Sequence, residues 1–311
     1  MKNFALMIGM IVLFALGSAE TRAQQPNPPG SYLKSCNAIK ADGGTLRATC
    51  AGEYALQTPL SGAAFVGESK IDNFFECEGD IGNNKGTLVC NKNPNSDHMK
   101  HARSSIKYGM TNIFGVPPAN DTEVYFWIVR MFKDGGLQSK FFQYQGLLGK
   151  DAEDFFQARL ANINEFNLRK TVIDRAYNDV YGFGANPPDI ASWDAAFKKG
   201  GSGYYMILLI ERPKLGTDKV MRHLIINNSY LKSFGRPATK SDFDYWMPRT
   251  EIFKELLAAQ RQWLYSPAGQ LDLNAAVGHA VETKYGKTDP GLVIQMMAKA
   301  KAGKLLYSEM L

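Results

Sequence analysis

The sequence predicts two unlike parts: a small, disulfide-stapled all-β, lectin-like module followed by an all-α repeat domain of helix-turn-helix units. Three observations carry that expectation. All four cysteines, Cys36, Cys50, Cys77 and Cys90, fall near the start of the 311-residue chain. The residues around them form short apolar stretches broken by Gly and Asn, the texture of strands and tight hairpins. From about residue 97 onward, apolar residues recur at helical spacing, and a motif ending in Trp appears three times. With 45% apolar and 21% charged residues, the composition is globular and far from that of a disordered chain.

The chain opens with Met1 and Lys2, an apolar run over residues 4–16, and small residues up to Ala23. This pattern predicts a secretory signal peptide over residues 1–23, cut after Ala23. The apolar run is shorter than the roughly 20 residues that span a bilayer, and no later stretch reaches that length. The expected mature protein therefore has no transmembrane segment and is secreted or periplasmic, where disulfides persist. Residues 24–29 read as a Pro-rich linker. Residues 28–92 hold six Lys/Arg against seven Asp/Glu, so the formal net charge of +6 belongs to residues 93–311. That excess is spread thinly, with no long basic run, so a solvated surface is expected and nucleic acid is not.

Within residues 30–92, Tyr32-Leu33, Ala38-Ile39, Leu46 with Ala48, and Leu88-Val89 read as short strands between Gly-containing turns. The cysteines form two close pairs, each bracketing a turn. Four cysteines allow three connectivities, and nearest-neighbour pairing, Cys36 with Cys50 and Cys77 with Cys90, staples each hairpin. Each bridge would contribute on the order of 3 kcal/mol in the chain-entropy account. The absence of any C-x-x-C spacing disfavours zinc, and no metal or other cofactor is expected.

The pattern Gly30-Ser31-Tyr32-x-x-Ser35-Cys36, then Gly44-Thr45-Leu46-x-Ala48-x-Cys50, Ile71-Asp72-Asn73, and Cys77-x-Gly79-Asp80-Ile81-x-Asn83-x-x-Gly86-x-Leu88-x-Cys90 resembles one repeat of the cyanovirin-N homology family, over about residues 28–92. The resemblance implies a small β-rich lectin fold that holds glycans, often of mannose type, by direct hydrogen bonds without a metal. By the same resemblance, Lys34, Ser35, Glu53 and Asn83 would line the carbohydrate pocket. Charged and amide groups on rigid turns suit arrays of sugar hydroxyls. They are equally at home as turn residues, and Asn83-Asn84-Lys85-Gly86 is a hairpin sequence in its own right. The family builds its fold from two repeats that exchange strands, and one is visible here. The lone repeat must close on itself, pair with another chain in a strand-exchanged homodimer, or lean on the rest of the protein.

In residues 97–311 each motif is an aromatic residue and Gly, a short linker, Ala, a helix cap, an acid three residues later, and Trp four residues after that. The copies are Phe114-Gly115 with Ala119, Asn120, Glu123 and Trp127; Tyr181-Gly182 with Ala185, Asn186, Asp189 and Trp193; and Phe234-Gly235 with Ala238, Thr239, Asp242 and Trp246. They mark three repeats around residues 98–130, 168–199 and 221–250. A degenerate fourth, around residues 273–311, has Tyr285-Gly286 and Met297 in the Trp place. Before each Gly, one helix face is apolar: Ile106, Met110, Phe114; Ile173, Tyr177, Tyr181; Ile226, Tyr230, Phe234; Val277, Val281, Tyr285. Gly ends the first helix, Asn or Thr caps the second, and Trp should meet the aromatic that precedes Gly. Further helices are expected over residues 137–148, 151–163, 204–210 and 252–265. The motif resembles an uncharacterised helical repeat of bacterial secreted and surface proteins, a resemblance that implies no activity.

No phosphate loop, nucleophile elbow, H-E-x-x-H or calcium loop is present. His98 and His101 lack further ligands nearby, and paired acids such as Asp242 and Asp244 need geometry before they mean catalysis. The expected function is a non-enzymatic, glycan-binding, secreted lectin with a helical scaffold or self-association domain. Two other readings stand beside it: an envelope glycan-processing enzyme that uses the β module to hold substrate, and a structural surface protein without sugar binding.

Overall fold

The computed structural model describes residues 27–52, 65–201 and 203–311. The expected signal peptide, the start of the linker and Glu53 lie outside the described residues. Strands β1 (Cys36–Asp42), β2 (Thr45–Ala51) and β3 (Phe65–Asp72) form one antiparallel sheet in that order, and β4 (Cys77–Asn84) pairs with β5 (Thr87–Lys92) in a second. Lys85 and Gly86, at φ 51° and 97°, make the two-residue β4–β5 turn. Disulfides join Cys36 to Cys50 across β1–β2 and Cys77 to Cys90 across β4–β5, the pairing expected from spacing. Leu46, Ala48, Ile71, Ile81 and Leu88 fill the space between the sheets together with Tyr32.

Tyr32 and Leu33, expected in a strand, belong to a 3₁₀ turn, Ser31–Lys34. The phenol of Tyr32 explains the tight turn: its ring is fully buried and its hydroxyl donates to the Pro28 carbonyl at 2.7 Å, so the chain must fold back on itself within four residues. Burial pushes that hydroxyl up to about 12.

The β module rests on the helices. After β3, Asn73 takes a left-handed conformation and a 3₁₀ turn, Phe74–Glu76, thrusts two fully buried phenyl rings out of the module. Phe74 stacks on Phe142 (5.8 Å between centroids) and meets Phe132, while Phe75 meets Tyr125 and Phe132. His98 Nε2 bonds the Phe75 carbonyl at 2.8 Å and its ring abuts Phe141, which is what this histidine does here. Two buried phenyl rings contribute roughly 3–6 kcal/mol. Of the three ways to complete a lone repeat, leaning on the rest of the chain is the one this contact provides.

Among the described residues, thirteen α-helices follow: α1 (Asp97–Phe114), α2 (Asp121–Gly135), α3 (Gln138–Gln143), α4 (Gly149–Ala161), α5 (Phe166–Tyr181), α6 (Pro187–Lys198), α7 (Tyr204–Thr217), α8 (Lys219–Phe234), α9 (Lys240–Trp246), α10 (Phe253–Leu264), α11 (Gln270–Tyr285), α12 (Pro290–Gly303) and α13 (Tyr307–Met310). The helix expected over residues 137–148 shrinks to α3, because Gln145 and Gly146 leave the helical region at φ 53° and 145°. The one expected over residues 204–210 instead runs through Pro213 to Thr217.

The repeat is real and has three long-range parts. Its first helix (α1, α5, α8, α11) ends at a left-handed Gly, with φ between 71° and 84° at Gly115, Gly182, Gly235 and Gly286. Its second helix (α2, α6, α9) is capped by Asn120, Asn186 or Thr239, which accept from the backbone N–H of Glu123, Asp189 and Asp242 at 3.0, 2.9 and 3.3 Å. The expected apolar faces are buried except at Tyr285, which is 47% exposed. In the second and third units the Trp indole N–H donates to a tyrosine one turn before the residue flanking Gly, Trp193 to Tyr177 at 3.3 Å and Trp246 to Tyr230 at 3.1 Å, while in the first Trp127 donates to Glu123 at 3.3 Å. One expectation needs correction. In the degenerate fourth unit, Asp289 is the cap, so the buried residue seven places on is Met296, not Met297.

The third helix (α4, α7, α10, α13) was the part the motif did not show. Each of α7, α10 and α13 packs on the first helix of its own unit and on that of the preceding unit. Its first residue is aromatic and covers the preceding unit's Gly: Tyr204 on Gly115, Phe253 on Gly182, Tyr307 on Gly235. In the first unit that place is Gly149, with no earlier Gly to cover. Buried Arg169 and Arg222, both thirteen residues before a Gly, brace the second and third units. Arg169 donates to Asp194 at 2.6 Å and to the carbonyls of Leu160, Asn162 and Ile163, and Arg222 to those of Trp246 and Glu251.

Candidate functional site

Of the residues expected to touch sugar, Lys34, Ser35 and Asn83 lie where the Ser31–Lys34 turn crosses β4, and Glu53 lies outside the described residues. Lys34 is exposed at the end of the turn, and Ser35 follows it, half-buried. Asn83, 48 residues away, is brought against Ser35: its Nδ2 donates to Ser35 Oγ at 3.1 Å and to the Ala51 carbonyl at 3.0 Å. Its Oδ1 accepts from the Gly86 N–H at 2.8 Å and closes the hairpin. The Asn83 amide is thus committed within the protein, tying the turn, β2 and the β4–β5 hairpin together. It positions the site's wall more than it offers bonds to a ligand. Ser35 Oγ accepts in that bond and keeps its own O–H for donation.

Two further groups join this array that the expected set omitted, Ser31 and Asp80. The Ser31 backbone N–H donates to Asp80 Oδ1 at 2.6 Å, and its hydroxyl donates to Asp80 Oδ2. The hydroxyl and then the N–H of Ser31, with the nearby Lys34 charge, hold the Asp80 carboxyl below the usual carboxylate range. It is an ionised acceptor that points at solvent, with lone pairs left after the two bonds from Ser31. Between them lies Gly82. A Cβ there would sit 3.6 Å from Asp80 Oδ2, 3.7 Å from Ser31 Oγ and 3.8 Å from Val89 Cγ2, so the missing side chain leaves a notch with polar and apolar walls. Val89 stands exposed beside it, and Leu33 is exposed on the Ser31–Lys34 turn.

The sequence signal for Ser31 and Asp80 was present: both stand in the same two Gly-bounded turns as Lys34 and Asn83. What spacing could not show is that the turn bends back onto β4 and pairs them. Among the described residues, no group of three or more His, Cys, Asp or Glu side chains is arranged to hold a metal ion. No described helix is long and apolar enough to cross a membrane. Compared with known proteins, the chain matches no family model, no curated protein and no solved structure.

Proposed function

We propose that the protein is a secreted or periplasmic carbohydrate-binding protein whose β module holds glycans of mannose type, with the helical repeats as scaffold. One observation carries the reading: Ser31, on the same turn as Lys34 and next to Ser35, meets Asp80 beside the bare backbone of Gly82 on β4, where the absent side chain leaves room for a methyl-sized group. The set contains an ammonium, two hydroxyls and a carboxylate, donors and acceptors held rigidly at the surface, beside the apolar edges of Leu33 and Val89. A sugar ring presents the matching mixture, hydroxyls at its rim and C–H groups on its face. Asp80 is held below the usual carboxylate range, so it stays ionised and accepts bonds from sugar hydroxyls. The two disulfides fit an oxidising compartment. The reading agrees with the cyanovirin-N resemblance but shifts the weight from Asn83, which organises the site, to Lys34, Ser31 and Asp80, which face the ligand.

A glycan array probed with the full mature chain tests the proposal. Binding to at least one neutral glycan is expected, weakened at least tenfold in Lys34→Ala and Asp80→Ala with an unchanged melting temperature. No binding to any glycan, or equal binding by both variants, overturns it.

A further inference from the structure

The third helical unit contains a cleft at a place that the first unit fills with two phenyl rings. In the first unit, Phe155 and Phe156, on α4, pack edge-on against Trp127 at 6.4 and 5.0 Å between centroids. The corresponding positions of α10, six and seven residues after its first, are Ala259 and Gln260. A void of about 410 Å³ opens there, lined by Tyr230, Phe234, Trp246 and Trp263 with Arg236, Asp242 and Asp272.

The lining is organised. Trp263 stands where the first and second units carry Arg159 and Lys214, and it is 48% exposed. Its indole N–H donates to Asp272 Oδ2 at 2.8 Å, which fixes the orientation of an exposed aromatic plate. Asp242 is gripped by Arg236 at 2.9 Å and by the N–H of Thr239 at 2.8 Å. Burial alone would raise its carboxyl, but these bonds outweigh it and keep the group below the ordinary range. Gln260 is buried and held through Ser233 and Ser229, at 2.7 and 2.8 Å.

The charge pattern selects the ligand. Arg236 already lies over Tyr230 and Phe234, 5.1 and 5.3 Å from their centroids, and Arg249 lies over Tyr245 at 4.1 Å. With the Tyr230, Phe234 and Tyr245 faces taken by guanidinium groups, a cationic guest finds only the single open face of Trp263 and no many-sided aromatic cage. Asp242 and Asp272 repel an anionic one. What remains complementary is a neutral ring with an apolar face for Trp263 and hydroxyls for the carboxylates and the guanidinium.

We propose that this cleft is a second, independent saccharide site, with Trp263 as the stacking platform and Asp272, Asp242 and Arg236 as hydrogen-bonding groups. The protein would then grip glycans at two places, one in each part of the chain. The site does not depend on the β-module reading, since it shares no residue with it.

The four tryptophans, Trp127, Trp193, Trp246 and Trp263, all lie in the helical part, and two of them, Trp246 and Trp263, line this cleft, so indole emission reports on it. The full chain is titrated with neutral trisaccharides of mannose, glucose and N-acetylglucosamine to millimolar concentration, with calorimetry alongside. At least one should change the emission saturably. Ala259→Phe, which restores the first unit's filling, and Trp263→Ala should each weaken binding at least tenfold without lowering the melting temperature. Lys34→Ala should leave the emission titration unchanged. No emission change with any sugar, wild-type affinity in Ala259→Phe, or tighter binding of tetramethylammonium than of every sugar overturns the proposal.

Discussion

Gly182→Ala is the sharpest probe of how the helical units are joined. Gly182 has φ 84°, and a Cβ there would lie 2.9 Å from three atoms of the Phe253 ring in the next unit. The left-handed conformation costs a non-glycine residue about 1–2 kcal/mol. Forcing a methyl into a packed, buried ring costs a further ~1–3 kcal/mol, since Phe253 is only 3% exposed and cannot swing into solvent. The sum, roughly 2–5 kcal/mol, should lower the guanidinium midpoint of the full chain and its melting temperature. Gly286→Ala supplies the control. It shares the backbone conformation, at φ 71°, but no described atom lies within 4 Å of its Cβ, so about 1–2 kcal/mol is expected there. In a Phe253→Ala background, the penalty at residue 182 should fall to the Gly286 value, a coupling measurable in a double-mutant cycle. Equal losses at the two glycines, or no coupling to Phe253, would refute the account of the joint.

Asn83→Ala should destabilise the β module by about 2–3 kcal/mol, since three internal hydrogen bonds are lost at once, seen as an earlier thermal transition by circular dichroism. Reducing either disulfide should cost on the order of 3 kcal/mol, measured by melting with and without dithiothreitol, and should leave the helical signal intact at moderate temperature. Burial would raise Asp194, but Arg169 and Lys198 outweigh it and hold the carboxyl below its ordinary value. A depressed folded-state pKa gives stability that is full above the unfolded value near 4 and is lost as pH falls through the folded one. Acid titration should therefore weaken the second helical unit below about pH 4. Asp194→Asn should remove that dependence and cost about 3–5 kcal/mol at neutral pH by stranding buried Arg169.

Much of the fold was legible because its signals are local. A cysteine pair around a turn, a Gly at a helix end and an Asn or Thr followed by an acid each act within a few residues, and all reappear in the structure. The third helix of each unit was not recognised as part of the repeat because its identity rests on one aromatic at its first residue, whose partner Gly lies some 70 to 90 residues earlier (Gly182 with Phe253, Gly115 with Tyr204). Likewise, Phe74 and Phe75 read as ordinary apolar residues, and only the structure shows them crossing to Phe132, Phe142 and Tyr125. In the candidate site, residue types were readable but roles were not. Asn83 looks like a ligand-facing amide in sequence, yet its bonds to Ser35, Ala51 and Gly86 turn it inward. Trp263 was passed over because it stands outside the repeated Trp positions, which is the property that exposes it.

The most direct test of carbohydrate binding is a residue-resolved one, amide chemical-shift mapping of the full mature chain as the best array glycan is added. Saturable shifts at Ser31, Lys34, Ser35, Asp80 and Gly82 are expected, lost in Asp80→Ala. Saturation with no shift at these five amides, or no shift anywhere, would contradict the placement of the glycan on the β module.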